Sequence, residues 1–222
     1  MGTVIMHNVV SVDGFIADEN DDVGPLHDWY FSGDTPITEG GGRQYDHSGG
    51  GSSFKVSRAS ADYVRPMWEA IGTIVMGRNL FDLVNGWEGQ PPAGDHVVVV
   101  SHRSKPEGWH PEASYHFVDG VTAAIDKARE LAGERTIAVN AGDVGSQIFA
   151  AGLVDEVAMD VVPAPPRAGG PHVHPQRVSG SRKLANACLS SAVGTHTVDR
   201  TKVHSLGHTA RLAVVDQPLP SP

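Results

Sequence analysis

At 222 residues with a formal charge of −9, the chain is long enough to bury a core of its own and too acidic to expect a nucleic-acid backbone as partner. No stretch approaches the roughly 18 apolar residues that cross a membrane, and the opening MGTVIMHNVVSVDGF has no basic region followed by a long apolar core. One cysteine, Cys188, cannot form an internal disulfide, so a reducing, cytoplasmic setting is expected.

Thr3 to Val10 is rich in β-branched residues and predicts a central strand, ended by Ser11-Val12-Asp13-Gly14. Side chains at the end of a strand in an open α/β sheet reach its ligand, which makes Ser11 and Asp13 candidate substrate contacts. Asp13-Gly14 is also the composition of an ordinary turn. Residues 18 to 55 are polar and glycine-rich, with Gly40-Gly41-Gly42 and Gly49-Gly50-Gly51 around Arg43, Tyr45, Asp46 and His47. Such a stretch is a lid or a linker. Within it, Trp29, Tyr30 and Phe31 serve either a flat heterocyclic ligand or the core.

Ser60 is the expected cap of a helix reaching Ile71, with Asp62 in its first turn and a kink at Pro66. A strand over Thr73 to Met76 then runs through Gly77 into Arg78-Asn79-Leu80-Phe81. A glycine at a helix start favours a phosphate, and Arg78 is either its partner or a surface residue. His96 to Val100 is the most strongly β-forming run, closed by Ser101-His102-Arg103. The planar fork of Arg103 matches phosphate oxygens, so Ser101 and Arg103 are candidates for a nucleotide's ribose phosphate. Val121, Ile125, Ala128 and Leu131 mark an amphipathic crossover helix.

Ile137-Ala138-Val139 predicts a buried strand, broken by Asn140-Ala141-Gly142-Asp143. In the helix that follows, Asp143 is the expected cap, Val144, Ile148 and Ala151 share a face, and Gly152 suits the left-handed position past the end. A second strand, Val154 to Val162, completes the unit. A small-residue turn into a helix start exposes unpaired N–H groups and favours a phosphate, although the same pattern also serves as a plain connection. Gly142 and Gly145 do not make the GxGxxG of a Rossmann turn. The repeated strand, helix, strand order predicts an α/β fold with a mostly parallel sheet flanked by helices.

At Pro163 the composition changes. Residues 1 to 163 hold 10 Lys and Arg against 24 Asp and Glu, whereas residues 164 to 222 hold 7 against 2 and none of the 14 aromatics. The chain therefore divides into a domain over 1–163 and a basic, Pro/Gly/His-rich tail over 164–222, which is either a disordered extension or the product of a shifted reading frame. Within the tail His208 to Val215 has the composition of an edge strand. His172 and His174 lie in this tail without metal-ligand spacing, no GxSxG elbow is present, and Cys188 has no nucleophile context. Neither a metal site nor a hydrolase is expected.

Taken in order, Val10-Ser11-Val12-Asp13-Gly14, Val75-Met76-Gly77-Arg78, Val98 to Arg103, and Ala141-Gly142 followed by Gly152-Leu153-Val154-Asp155-Glu156 resemble the dihydrofolate-reductase-like superfamily. The likeness is to proteins related to the C-terminal reductase domain of the bifunctional riboflavin-biosynthesis deaminase/reductase, and it spans residues 3 to 163. It implies a three-layer α/β fold, a homodimer, NADPH as cofactor and hydride transfer to a C=N or C=O group of a pteridine-like or pyrimidine-like small molecule. By motif position it implies that Gly77 and Arg78 face the cofactor's phosphates, Ser101 and Arg103 the adenosine 2′-phosphate, and Ala141, Gly142, Asp143, Val144, Gly145 and Ser146 the pyrophosphate. Ser11 and Asp13 would lie near nicotinamide and substrate, with Asp13 orienting or protonating the substrate. The backbone N–H groups of Val144 to Ser146 would then bind, with the Asp143 carboxylate occupied as a cap. Asn140 where the family has an acidic residue, and Phe15 where it has a basic one, imply a different substrate from that of the riboflavin enzyme. A binding protein that keeps the fold without turnover is the alternative.

Overall fold

A computed structural model describes residues 1–11, 16–17, 23–37, 54–162, 203–205 and 208–214. Asp13, most of the glycine-rich stretch, Cys188, His172 and His174 lie outside the described residues. In chain order the elements are β1 Val4–Ser11, a 3-10 segment Gly24–Phe31, β2 Thr35–Pro36, β3 Lys55–Val56, α1 Arg58–Ala70, β4 Ile71–Gly77 and α2 Arg78–Leu83. There follow a short turn Asn85–Gly89, β5 His96–Val100, β6 Tyr115–Val118, α3 Val121–Ala132, β7 Thr136–Asn140, α4 Asp143–Ala150, β8 Glu156–Val162, β9 Val203–Ser205 and β10 His208–Val214.

Eight strands form one sheet in the order β6-β5-β4-β7-β1-β8-β10-β9, and every pair in it is parallel except β10 with β9. Parallel strands need covered faces, which is why β4, β5 and β8 read as nearly unbroken apolar runs. Because side chains alternate along a strand, each strand feeds both layers. Val4, Met6 and Val10 of β1 and Val157 and Met159 of β8 join Ile125 and Ala128 of α3 and Ile148 of α4 in one continuous cluster. The opposite face is divided. Val9 and Val162 pack with Trp29, Tyr30 and Val64 at one end, and Ile74, Met76 and Val99 pack with Phe81 and Tyr115 at the other. The result is the three-layer α/β fold that the resemblance implies.

Several local expectations are corrected. Ser57, not Ser60, caps α1: its Oγ accepts the Ser60 N–H at 3.2 Å, and the helix begins at Arg58 with Pro66 inside it. Asp143 makes no cap, because Gly142 occupies that position with φ +103 and Asp143 is the first helical residue. Its charge still sits favourably in the first turn. Gly152, by contrast, takes the left-handed conformation expected of it, φ +70. Trp29 and Tyr30 are core residues. His208–Val214 is second from the sheet edge, with β9 outside it.

Candidate functional site

The strand order sets β7 beside β1, with His7 opposite Asn140, where β7 ends. β1 runs on to Ser11, pairing there with β8 up to Val162. The chain leaving β1 leads to α1 on the divided face, while the chain leaving β7 leads to α4 on the continuous one. Neighbouring strand ends whose connections part to opposite faces leave a crevice, and open α/β sheets take their ligands there.

One wall of this crevice is the turn into α4. Its backbone must pass so close to the end of β7 that a Cβ on Gly145 would lie 2.5 Å from the Asn140 carbonyl oxygen, while the positive φ of Gly142 admits no other residue without strain. The first bond within the helix runs from Ser146 N–H to Gly142 O at 2.9 Å. Ser146 Oγ donates to the same oxygen at 2.9 Å. The Ser146 N–H is therefore committed, and the amides that precede it, those of Asp143, Val144 and Gly145, are the ones a helix start leaves for an anion.

The second glycine turn meets the first. β4 pairs with β7, so Gly77 comes against α4, and a Cβ built on Gly77 would stand 3.0 Å from Val144 Cγ2. Arg78 turns back along α2: Nε donates to Asp82 Oδ1 at 2.7 Å and Nη1 to the Ser104 carbonyl at 3.2 Å. Arg103 Nη2 donates to the other Asp82 oxygen at 2.9 Å. Ser101 Oγ accepts the Arg103 N–H at 2.9 Å and donates to the Arg103 carbonyl at 2.7 Å, folding the end of β5 into a tight turn. Slight burial raises the Asp82 pKa, but the hydrogen bonds and charges of Arg78 and Arg103 outweigh it and hold the carboxyl below its ordinary value. Two guanidinium groups against one carboxylate leave net positive charge. The structure thus brings Gly77 against Val144 of the second turn and gathers Arg78 and Arg103 around Asp82, with Ser101 shaping the turn that carries Arg103. Ser11 closes β1 opposite Val162, and Asp13 is outside the described residues.

Sequence reasoning passes over the most polar feature of the crevice. His7 Nε2 and Asp160 Oδ2 are 2.8 Å apart, joining β1 to β8 on the divided face. Asp160 is wholly buried, and the His7 side chain keeps 15% of its surface. Burial pulls the imidazole pKa down, but the charge and hydrogen bond of Asp160 more than reverse this and hold it above the ordinary histidine value. Close by, burial, then the Asp160 charge, then Tyr63 push the Tyr30 phenol well above its ordinary value, against a smaller lowering by a hydrogen bond with Trp68. The signal in the sequence is slight: a single His in VIMHNVV and a single Asp in VAMDVV.

Among the described residues no helix is long and apolar enough to cross a membrane, and no three His, Cys, Asp or Glu are grouped to hold a metal ion. No family model matches the chain, and no curated protein does. Among solved structures, a diaminohydroxyphosphoribosylaminopyrimidine deaminase/5-amino-6-(5-phosphoribosylamino)uracil reductase from Thermotoga maritima is similar at 14% identity and TM-score 0.44, over 78% of this chain and 47% of its own length, so about half of that protein has a counterpart here. A protein of Shewanella sp. PV-4 provisionally described as a riboflavin biosynthesis protein is similar at 21% identity and TM-score 0.46, over 74% of this chain and 78% of its own.

Proposed function

We propose that the protein is a reductase that uses NADPH to deliver a hydride to a C=N or C=O group of a pteridine-like or pyrimidine-like small molecule. The observation that carries this reading is the contact of two glycine-led helix starts, Gly77 against Val144, at adjacent strand ends. Unpaired amides at a helix start suit a diphosphate, and a glycine at position 145 is what lets the helix start approach the strand end so closely. The residues fit the cofactor in charge as well: Arg78 opens α2 and Arg103 stands beside it, with a single carboxylate, Asp82, between them, and a guanidinium matches a 2′-phosphate. Bound there, NADPH supplies the hydride, while the protein orients it and keeps water from the reacting carbon. The phosphates would rest on the amides of Asp143, Val144 and Gly145, with the Asp143 carboxylate turned away from them.

Titrating the full chain with NADPH and with NADH, followed by nicotinamide fluorescence, tests the reading. Saturable binding with NADPH preferred is expected. No saturable binding would sink it, and tight binding without oxidation by any pterin, flavin precursor or quinone would make the protein a nucleotide-binding module.

A further inference from the structure

The His7–Asp160 pair has a geometry that a simple strut would not need. β1 and β8 are already held by seven consecutive register pairs, from Ile5 with Glu156 to Ser11 with Val162. A tie between them adds little, and a buried ion pair is in general a weak stabiliser. Nor is the carboxylate used up by His7, since Asp160 Oδ1 is buried with no hydrogen-bond partner. Asn140 Oδ1, on the strand at the other side of β1, is likewise buried without one. The His7 ring uses Nε2 for Asp160, which leaves Nδ1 for another partner, and the side chain keeps part of its surface exposed. Buried acceptors left open on the two strands that flank β1, beside a ring that is not fully covered, describe a site built for a ligand.

Resting on the reductase reading, we propose that His7 is the proton donor of the reaction and Asp160 its positioning residue. As the hydride bonds to the carbon of the C=N or C=O group, the π pair moves to the nitrogen or oxygen, which takes the proton from His7 Nδ1. Asp160 keeps Nε2 protonated and fixes the ring, so that imidazolium becomes neutral imidazole beside a carboxylate. The product is an amine or alcohol, the cofactor leaves oxidised by two electrons, and water returns a proton to His7. The groups that face the pair are few among the described residues: Asp160 from β8, Asn140 from β7, and Tyr30 from the 3-10 segment with Tyr63 of α1 behind it. Among the described residues, Asp160 is the one charged group that acts on His7.

The test is an NMR titration of the full chain labelled at the histidine rings. His7 is expected to hold its proton on Nε2, to titrate above an ordinary histidine, and to shift when NADPH saturates the protein. In Asp160→Asn the titration midpoint should fall below that of the wild type. A His7 ring unmoved by saturating NADPH, while amides of the α4 turn do move, would reduce the pair to a strut and overturn the proposal. If nothing moves at all, the cofactor does not bind and the reductase reading has failed with it. Should Asp160→Asn not fold, His7→Gln replaces it, because its amide can still donate to Asp160. With 7,8-dihydropterin as a C=N probe, His7→Gln should lower kcat by about 10²-fold and leave the NADPH Kd within about twofold; equal kcat in the two proteins would equally overturn the assignment. The NMR results decide whether or not that probe is turned over.

Discussion

The two faces of this sheet are built from the same strands and are packed in opposite ways. On the α3 and α4 side, apolar residues of β1, β4, β5, β7 and β8 merge into one cluster. On the other side they stop at the boundary between β7 and β1: Ala138 belongs to one cluster and Val9 to the other. His7 and Asn140 face each other across this seam, and Asp160 holds His7 from β8. The divided face, unlike the continuous one, sets a polar pair where its apolar clusters part.

The comparison is most easily broken at the seam itself. Removing the histidine in His7→Ala leaves the Asp160 carboxylate buried without its partner, which should cost about 3–5 kcal/mol and lower the melting temperature by roughly 10 °C. Replacing both partners, His7→Leu with Asp160→Leu, should instead be neutral or stabilising by about 1–4 kcal/mol. If the double variant melts as early as the single one, the seam is structural and the contrast between the faces fails. Next in size is Gly145→Ala on the continuous face. Its Cβ would meet the Asn140 carbonyl at 2.5 Å, so a loss of about 1–3 kcal/mol is expected, together with weaker NADPH binding, both read in one thermal-shift series.

A smaller effect follows from pH. Asp160 holds His7 above its unfolded value, so the pair's contribution to stability is complete below the unfolded value of 6.5 and is lost as pH rises through the higher folded value. His116 acts in the opposite sense, because burial, then His96 and Lys127, hold its pKa low. The measurement is therefore the difference in melting temperature between wild type and His7→Gln, which should shrink as pH rises through that window. Arg103→Ala should change least in stability, within about 0.5 kcal/mol, since its pair with Asp82 is at the surface. It should nevertheless reduce the preference for NADPH over NADH, and an unchanged preference would remove Arg103 from the cofactor's binding.

What the sequence made legible follows the range of the forces involved. His96–Val100 was readable to the residue because a run of four valines has few other uses, and the glycine turns were readable because small residues between strand and helix are a local pattern. Caps were less legible. Ser57 and Ser60 lie three apart, so each fits the pattern, and only the Ser60 N–H reaching back to Ser57 Oγ distinguishes them. Asp143 lost its expected role to the backbone conformation of Gly142. Least legible were contacts set by register. Arg78 and Asp82 are four apart on one helix, but Arg103 joins them from 21 residues away, and His7 meets Asp160 across 153. Nothing local in VIMHNVV says which strand will lie alongside.

That last separation also bears on how the protein is made. β1 is synthesised well before both of its partners, β7 and β8, which lie between residues 136 and 162. At about 5–20 residues per second the first strand waits on the order of 10–30 s for them. During that time an apolar run with open edges is at risk of pairing with another chain. The histidine in its middle interrupts the run, and charged or polar residues so placed act as gatekeepers against aggregation. Besides its tie to Asp160 in the finished sheet, His7 thus breaks the apolar run that β1 exposes before its partners are made.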